Sequence, residues 1–495
     1  MRFMCYYVGV TKLRKVIRQP IRCPIADQSF VDKICEKAHQ AQPEWGKVTP
    51  LERAKVLHKV AVIIRDNLEK LAGWETKTNG KVNQGKEARD DLNSSADTFM
   101  FYAGILPTIF KGDYFDLESD RFAYTRPEPY GVVGCIGAWN YPINLICRLA
   151  FQTAVWKVSP ALAAGNSVVY KPSPFAPGSP VILGEILSAA GLPVNIYNVV
   201  QGEGETGQAL CENEFVRKVS FTGSVATGKK IQQACAAKNI KPVTLELGGK
   251  SPFIVFEDSC LDKAVHAAVL ANFLNQGEVC TNATRVFVQK SIAEQFQSKL
   301  LNELEKIKVG DPLDEANNVG ALINEQHLSK VARMVENAVK EGAQILRGGK
   351  RLHPTGVEDG FYFDPVVLTN LNDKMEIVRD EIFGPVLLLL PFETEEEVVS
   401  RANNTHYGLA TGLYSNCLKR AHRVAAQLEA GTVFINTYND TMVHVPFGGY
   451  KKEVLQKINK NSGHGRENSV ECLKAFYQIK SIYVNYGDNV QHNLD

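Results

Sequence analysis

Three side chains in this sequence could between them run acyl chemistry: Cys280, Glu246 and Asn140. Cys280 follows Gly277 at the end of a helical pattern, and a cysteine just beyond a helix-breaking glycine is a candidate nucleophile. Glu246 lies in the apolar run VTLELGG. A carboxylate buried among apolar groups tends to a raised pKa and can act as a general base near neutral pH. Asn140, in WNYP, follows a buried strand at its carboxyl end, where the sites of α/β sheets collect. Its amide and the Cys280 backbone N–H would make an oxyanion hole. Singly, each has a plainer reading: a lone cysteine is more often an inert buried thiol, and a strand glutamate is more often ion-paired. The combination points to catalysis.

Two glycine turns could cradle a phosphate. GEGETG (202–207) matches GxGxxG between a strand and a helix. It carries two carboxylates where a pyrophosphate would sit, and the next strand, VSFT, ends without an acid to hold a ribose. A chance match or a supporting turn is therefore the better reading. FTGSVATG (221–228) is better placed, because Ser224 can cap the following helix and Gly223 permits close backbone approach.

The elements that must position these residues follow from periodicity. From Phe30 to Lys81 apolar residues recur at helical spacing, and a further helix is expected over 86–104. Residues 122–133 alternate and read as a projecting hairpin. Strands and helices alternate from Val132 and again from Ser251, which argues for parallel sheets in two α/β domains dividing near Gly248-Gly249. The 495 residues suffice for two or three domains with buried cores. A net charge of +2 without a basic, aromatic-interleaved stripe argues against a nucleic-acid partner. No apolar run approaches the ~20 residues of a membrane helix. Eleven cysteines without CxxC pairs fit a reducing compartment, and the dispersed histidines form no metal motif. The first 26 residues are basic and lack acids, weakly like a mitochondrial presequence. A solvated basic terminus is preferred, which gives a cytoplasmic protein with mitochondrial placement left open.

With WNYP (139–142), SPALAAGNSVVYKPS (159–173), FTGS (221–224), VTLELGGKSP (243–252), GEVC (277–280), EIFGPV (381–386) and PFGGYKK (446–452), the chain resembles the NAD(P)-dependent aldehyde dehydrogenase superfamily. The wording is most like the branch that oxidises betaine aldehyde and 4-trimethylaminobutyraldehyde, a step of carnitine biosynthesis. The resemblance implies a parallel-sheet NAD-binding domain (29–118 and 135–247) and an α/β catalytic domain (248–450). It also implies a small β oligomerisation element (119–134 and 466–487) after an atypical N-terminus (1–28), assembled as a homotetramer or homodimer. It implies Cys280 as nucleophile, Asn140 in the oxyanion hole, Glu246 as base for thioester hydrolysis, and Lys157 near the proton path. Lys171, Gly223, Ser224, Glu381, Phe383 and Trp139 would hold NAD. Tyr141, Trp156 and Tyr438, with Asp440, would face the substrate aldehyde.

Four departures stand out. Pro174 replaces a glutamate that pairs with the Lys171 position in much of the superfamily, which leaves NADP open. The usual N-terminal strand pair has no counterpart. Extra residues at 143–150 are apolar, and extra residues at 453–461 are polar. Such inserts could leave a working enzyme, or an impaired relative serving as a structural or ligand-binding protein.

Overall fold

The computed structural model describes residues 24–72, 87–117, 120–140, 150–450 and 460–487. Tyr141 and most of both inserts therefore lie outside the described residues, as does the chain before Pro24.

The first sheet has six strands, ordered Gly463–His464, Val243–Glu246, Val216–Thr222, Val132–Ile136, Ser167–Lys171, Tyr197–Val199. All pairings are parallel except that of Gly463–His464 with Val243–Glu246. The sequence VVGCI explains why this sheet is covered on both sides. All five residues are buried, and they alternate between two cores. Val133 and Cys135 join the cluster made with helices Pro50–Asp66, Glu87–Ile109, Ala150–Ala163 and Ser179–Ala190. Val132 and Ile136 join the opposite cluster, with helices Gln28–Lys47, Gly204–Glu212 and Val225–Lys238. Burying each such aliphatic side chain stabilises by about 1.5–3 kcal/mol. Helix starts are fixed locally. Asp27 accepts from the Phe30 N–H at 2.8 Å, and Thr49 caps a helix with Pro50 in its first turn.

Chain order reverses between Val132–Ile136 and Val216–Thr222, so their carboxyl ends open a crevice, the place where doubly wound sheets bind ligands. The second sheet has seven strands, ordered Gln344–Arg347, Val366–Thr369, Val386–Phe392, Arg285–Gln289, Pro252–Val255, Ala410–Tyr414, Thr432–Ile435. The chain passes between the sheets from Glu246 to Pro252 through Gly248-Gly249.

The stretch 122–133 is not one hairpin. Arg121–Pro129 is the middle strand of a three-stranded sheet with Tyr114–Leu117 and Tyr477–Asn485. The chain then turns at Gly131 (φ +119°), and Val132 opens the buried strand of the nucleotide-type sheet. Residues 132–134 therefore leave the small β element. At its other end, Glu467 and helix Ser469–Lys474 pack against the six-stranded body, with Cys472 and Leu473 in its core. Among the described residues no helix is long and apolar enough to cross a membrane.

Candidate active site

The crevice is a cleft of about 560 Å³. Trp139, Asn140, Lys171, Gly223, Ser224, Glu246, Cys280, Glu381 and Phe383 all contribute to its wall. These residues are scattered over some 250 positions of chain; strand ends from one sheet and loops from the other bring them together.

Cys280 follows helix Leu261–Phe273 and a short 3-10 turn, Leu274–Gly277. Gly277 has φ +70°, and a Cβ there would overlap the Gly384 backbone, so the Cys280 loop sits directly on the loop that carries Glu381 and Phe383. Cys280 is partly exposed and packs beside Trp156, Leu409 and Phe447. Burial pushes its thiol well above the usual range, and the carboxylates of Glu381 and Glu246 push the same way. The backbone N–H groups of Cys280 and Thr281 oppose them. The resting group is therefore a thiol.

Asn140 is 8% exposed, and its Nδ2 donates to the Glu278 carbonyl at 3.1 Å. That bond orients the amide toward the Cys280 loop and leaves the second amide hydrogen for a developing oxyanion. Glu246 ends strand Val243–Glu246, held on one side by Thr222 and on the other by Gly463. Burial raises its carboxyl pKa strongly and Glu467 adds to the shift, while Lys157 and Arg466 oppose it. Neither Glu246 carboxylate oxygen accepts a hydrogen bond from a described residue. A carboxyl of raised pKa is, once ionised, a stronger base than an ordinary carboxylate.

Lys157 lies behind the cleft. Its ammonium forms a buried ion pair with Glu467 and reaches Ser220 Oγ at 3.2 Å. Glu467 was not singled out from sequence, although it closes the SGHGRE run.

On the cofactor side, Ser224 caps helix Val225–Lys238 by accepting from the Thr227 N–H at 3.2 Å. Gly223 N–H donates to the Glu246 carbonyl at 3.0 Å, tying this turn to the base. Lys171 is 5% exposed, and burial pushes its ammonium down to about 8. Glu381 is half-buried, with its carboxyl pKa raised by desolvation, and it accepts from the Gly249 N–H at 2.9 Å. A Cβ on Gly248 would overlap both carboxylate oxygens, so any larger residue there would shift the Glu381 carboxylate.

Phe383 holds a left-handed φ of +64°, a strained backbone for a bulky residue. Its carbonyl accepts from His327 Nε2–H at 2.6 Å. The His327 and Phe383 rings both meet Trp139 edge-on, at 5.8 and 5.4 Å. Burial pushes His327 down to about 4, so it is neutral near pH 7. His327 and Lys330 also line the cleft. Sequence reading passed over both; their one signal was a polar helix start after the capping Asn324.

The expected substrate residues divide. Trp156 stacks obliquely on Phe447 at 5.6 Å, next to Cys280. Tyr438 needs correction. It is 1% exposed within the seven-stranded core, and its hydroxyl donates to the Thr281 carbonyl at 2.7 Å. Packing against Gly412 and Phe253 leaves it supporting the Cys280 loop rather than facing a ligand. Asp440 is exposed. The GEGETG turn contributes Glu203, Gly204 and Gly207 to the cleft wall. Among the described residues no cluster of three or more His, Cys, Asp or Glu could hold a metal.

Residues 18–482 match the model of the aldehyde dehydrogenase family. The chain is 47% identical over 460 residues to 4-trimethylaminobutyraldehyde dehydrogenase A of Danio rerio, covering 92% of this chain and 86% of the relative. The Homo sapiens 4-trimethylaminobutyraldehyde dehydrogenase is likewise 47% identical over 460 residues, with 92% and 89% covered. Among solved structures, betaine aldehyde dehydrogenase of Staphylococcus aureus in complex with NAD+ superposes with TM-score 0.89 at 33% identity, covering 97% of this chain and 92% of that one. An NAD-dependent aldehyde dehydrogenase of Sinorhizobium meliloti gives TM-score 0.88 at 35% identity, covering 94% and 89%.

Proposed function

The chain belongs to the aldehyde dehydrogenase family, is an NAD-dependent enzyme that oxidises an aldehyde, and, we propose, does so with Cys280, Asn140 and Glu246 as its working groups. The observation that carries this assignment is one cleft holding a thiol, an amide donor and a buried carboxyl beside a strand-end nucleotide cradle. The cradle fits a dinucleotide. The capped turn at Gly223-Ser224 presents backbone N–H groups to a pyrophosphate, while Lys171 and Glu381 offer a cation and a carboxylate for the two riboses. Bound NAD supplies the hydride acceptor.

Cys280 loses its proton and its sulfur attacks the aldehyde carbon, giving a thiohemiacetal. Asn140 Nδ2–H and the Cys280 N–H stabilise the oxygen as it gains charge. Loss of hydride from the same carbon leaves a thioester. Glu246 takes a proton from water as the water oxygen attacks that thioester. The C–S bond breaks, the acid departs, and the sulfur takes back the proton that Cys280 gave up, restoring the thiol. Aldehyde, NAD and water thus become acid, NADH and a proton. The buried pair of Lys157 and Glu467, whose charges act on Glu246, is assigned to the route by which that proton leaves.

The substrate is assigned as an aldehyde bearing a quaternary ammonium group, such as 4-trimethylaminobutyraldehyde or betaine aldehyde. The names of the relatives support this, and so does the Trp156–Phe447 pair, since aromatic faces attract such cations. The assembly is assigned as a homotetramer or homodimer, pairing through strand Tyr477–Asn485, where Ile479 and Tyr483 stand exposed.

The test is NADH formation with 4-trimethylaminobutyraldehyde, betaine aldehyde and a simple aliphatic aldehyde. Turnover is expected to favour the first two. Cys280→Ala should abolish turnover and still bind NADH; retained turnover would refute Cys280 as nucleophile. No turnover of any aldehyde by the folded chain would reject the whole assignment.

A further inference from the structure

The GEGETG turn has no role in that mechanism, and the acid missing at Pro174 has no replacement in it. The structure brings the two together. Strands Ser167–Lys171 and Tyr197–Val199 are parallel neighbours, with Tyr170 opposite Val199. Lys171 and the turn beginning at Gly202 therefore leave the sheet side by side at its carboxyl edge. Helix Gly204–Glu212 then packs its Gly207 on the lysine stem; a Cβ there would lie 3.6 Å from Lys171 Cδ. Glu203 immediately precedes that helix and stands exposed on the cleft wall with Lys171, Pro174 and Gly204. The Lys171 Nζ donates to the Pro172 carbonyl at 3.1 Å. The carboxylate that acts most strongly on it is that of Glu203.

A buried ammonium at the end of a nucleotide-sheet strand favours a phosphate, through charge-assisted hydrogen bonding, at least as much as a hydroxyl. Left alone, Lys171 would hold the 2′-phosphate of NADP. Like charge beside it reverses that preference. Resting on the reading of this cleft as the dinucleotide site, we propose that Glu203 sets the choice of nucleotide: on the loop beside Lys171 in the same cleft wall, its carboxylate repels a 2′-phosphate and supplies the negative charge absent at position 174. Glu205, in the first turn of the same helix, carries the same charge and is not part of the cleft wall, so it serves as the control.

The experiment measures equilibrium binding of NADH and of NADPH to the full chain, read by nucleotide fluorescence, for wild type, Glu203→Gln and Glu205→Gln. Wild type should bind NADPH at least tenfold more weakly than NADH. Glu203→Gln should narrow that ratio by fivefold or more, mainly by tightening NADPH, and Glu205→Gln should leave it within twofold. The proposal is overturned if wild type binds both equally, if Glu203→Gln leaves the ratio unmoved, or if Glu205→Gln moves it as far. A chain that binds neither nucleotide would sink the reading of the cleft itself, and this proposal with it. Both variants alter exposed residues, and an unchanged thermal midpoint verifies that they fold.

Discussion

Lys157→Met removes one half of an ion pair whose side chains are 1% and 2% exposed. Breaking a pair this deeply buried costs about 3–5 kcal/mol, because the remaining charge keeps its desolvation penalty and loses its compensation. Glu467 would be that stranded charge, beside the Cys472 thiol and with Glu246 nearby. Lys157→Met with Glu467→Leu removes both charges and should recover most of the loss. The assay is urea unfolding of wild type, the single variant and the double variant at neutral pH. Protein concentration is matched, because assembly contributes to apparent stability. A single variant that loses less than about 1 kcal/mol, or a double variant as unstable as the single, would refute the claim that the pair is buried and mutually compensating.

Glu246→Gln should leave a burst of NADH while slowing thioester hydrolysis; equal loss of both phases would count against Glu246 as the base. Burial raises the Glu246 pKa in the folded chain, so its ionisation costs stability above about pH 4.3. The glutamine variant should match wild type near pH 4 and exceed it at pH 8 in urea midpoint. His327, pushed down to about 4, binds its proton more tightly in the unfolded chain, so stability present above pH ~6.5 is lost as pH falls. His327→Phe should flatten that acid-side decline, at the cost of about 0.5–1.5 kcal/mol for the lost bond to Phe383. Gly277→Ala must force an alanine into φ +70° against the Gly384 backbone. It should cost at least about 1–3 kcal/mol and weaken NADH binding by displacing the Glu381 loop; an unchanged thermal midpoint would contradict the close approach.

The groups that face the cleft were legible because each stands at a local landmark. Cys280 follows a glycine, Asn140 follows a buried strand, Lys171 ends one, Glu246 interrupts an apolar run, and Glu381 opens EIFGPV. Burial and charge partners were not legible. Lys157 lies mid-helix in AVWKVSPALA, and its partner is 310 residues away. His327 reads as an ordinary polar residue in the first turn of a solvated helix, since only the tertiary fold brings the Phe383 carbonyl to it. Tyr438 shows the converse. Its neighbourhood in sequence suggested a ligand contact, but the absence of a side chain at Gly412 lets its ring sink into the core. Residues 122–133 misled because alternation cannot reveal which sheet a strand joins. The positive φ at Gly131 is what separates Arg121–Pro129 from Val132–Ile136.

The antiparallel pairing of Gly463–His464 with Leu245–Glu246 bears on how the enzyme comes into being. Glu246 is held on one side by a strand synthesised just before it and on the other by residues that follow it by more than 200 positions. Glu467, the partner of Lys157, arrives at the same late stage. The Tyr102 hydroxyl then takes hold of the Ser469 carbonyl at 3.2 Å, and Tyr477–Asn485 zips onto Arg121–Pro129. A chain cut before Gly463 would therefore hold the proposed nucleophile, amide and base, but not the strand that fixes the last of these.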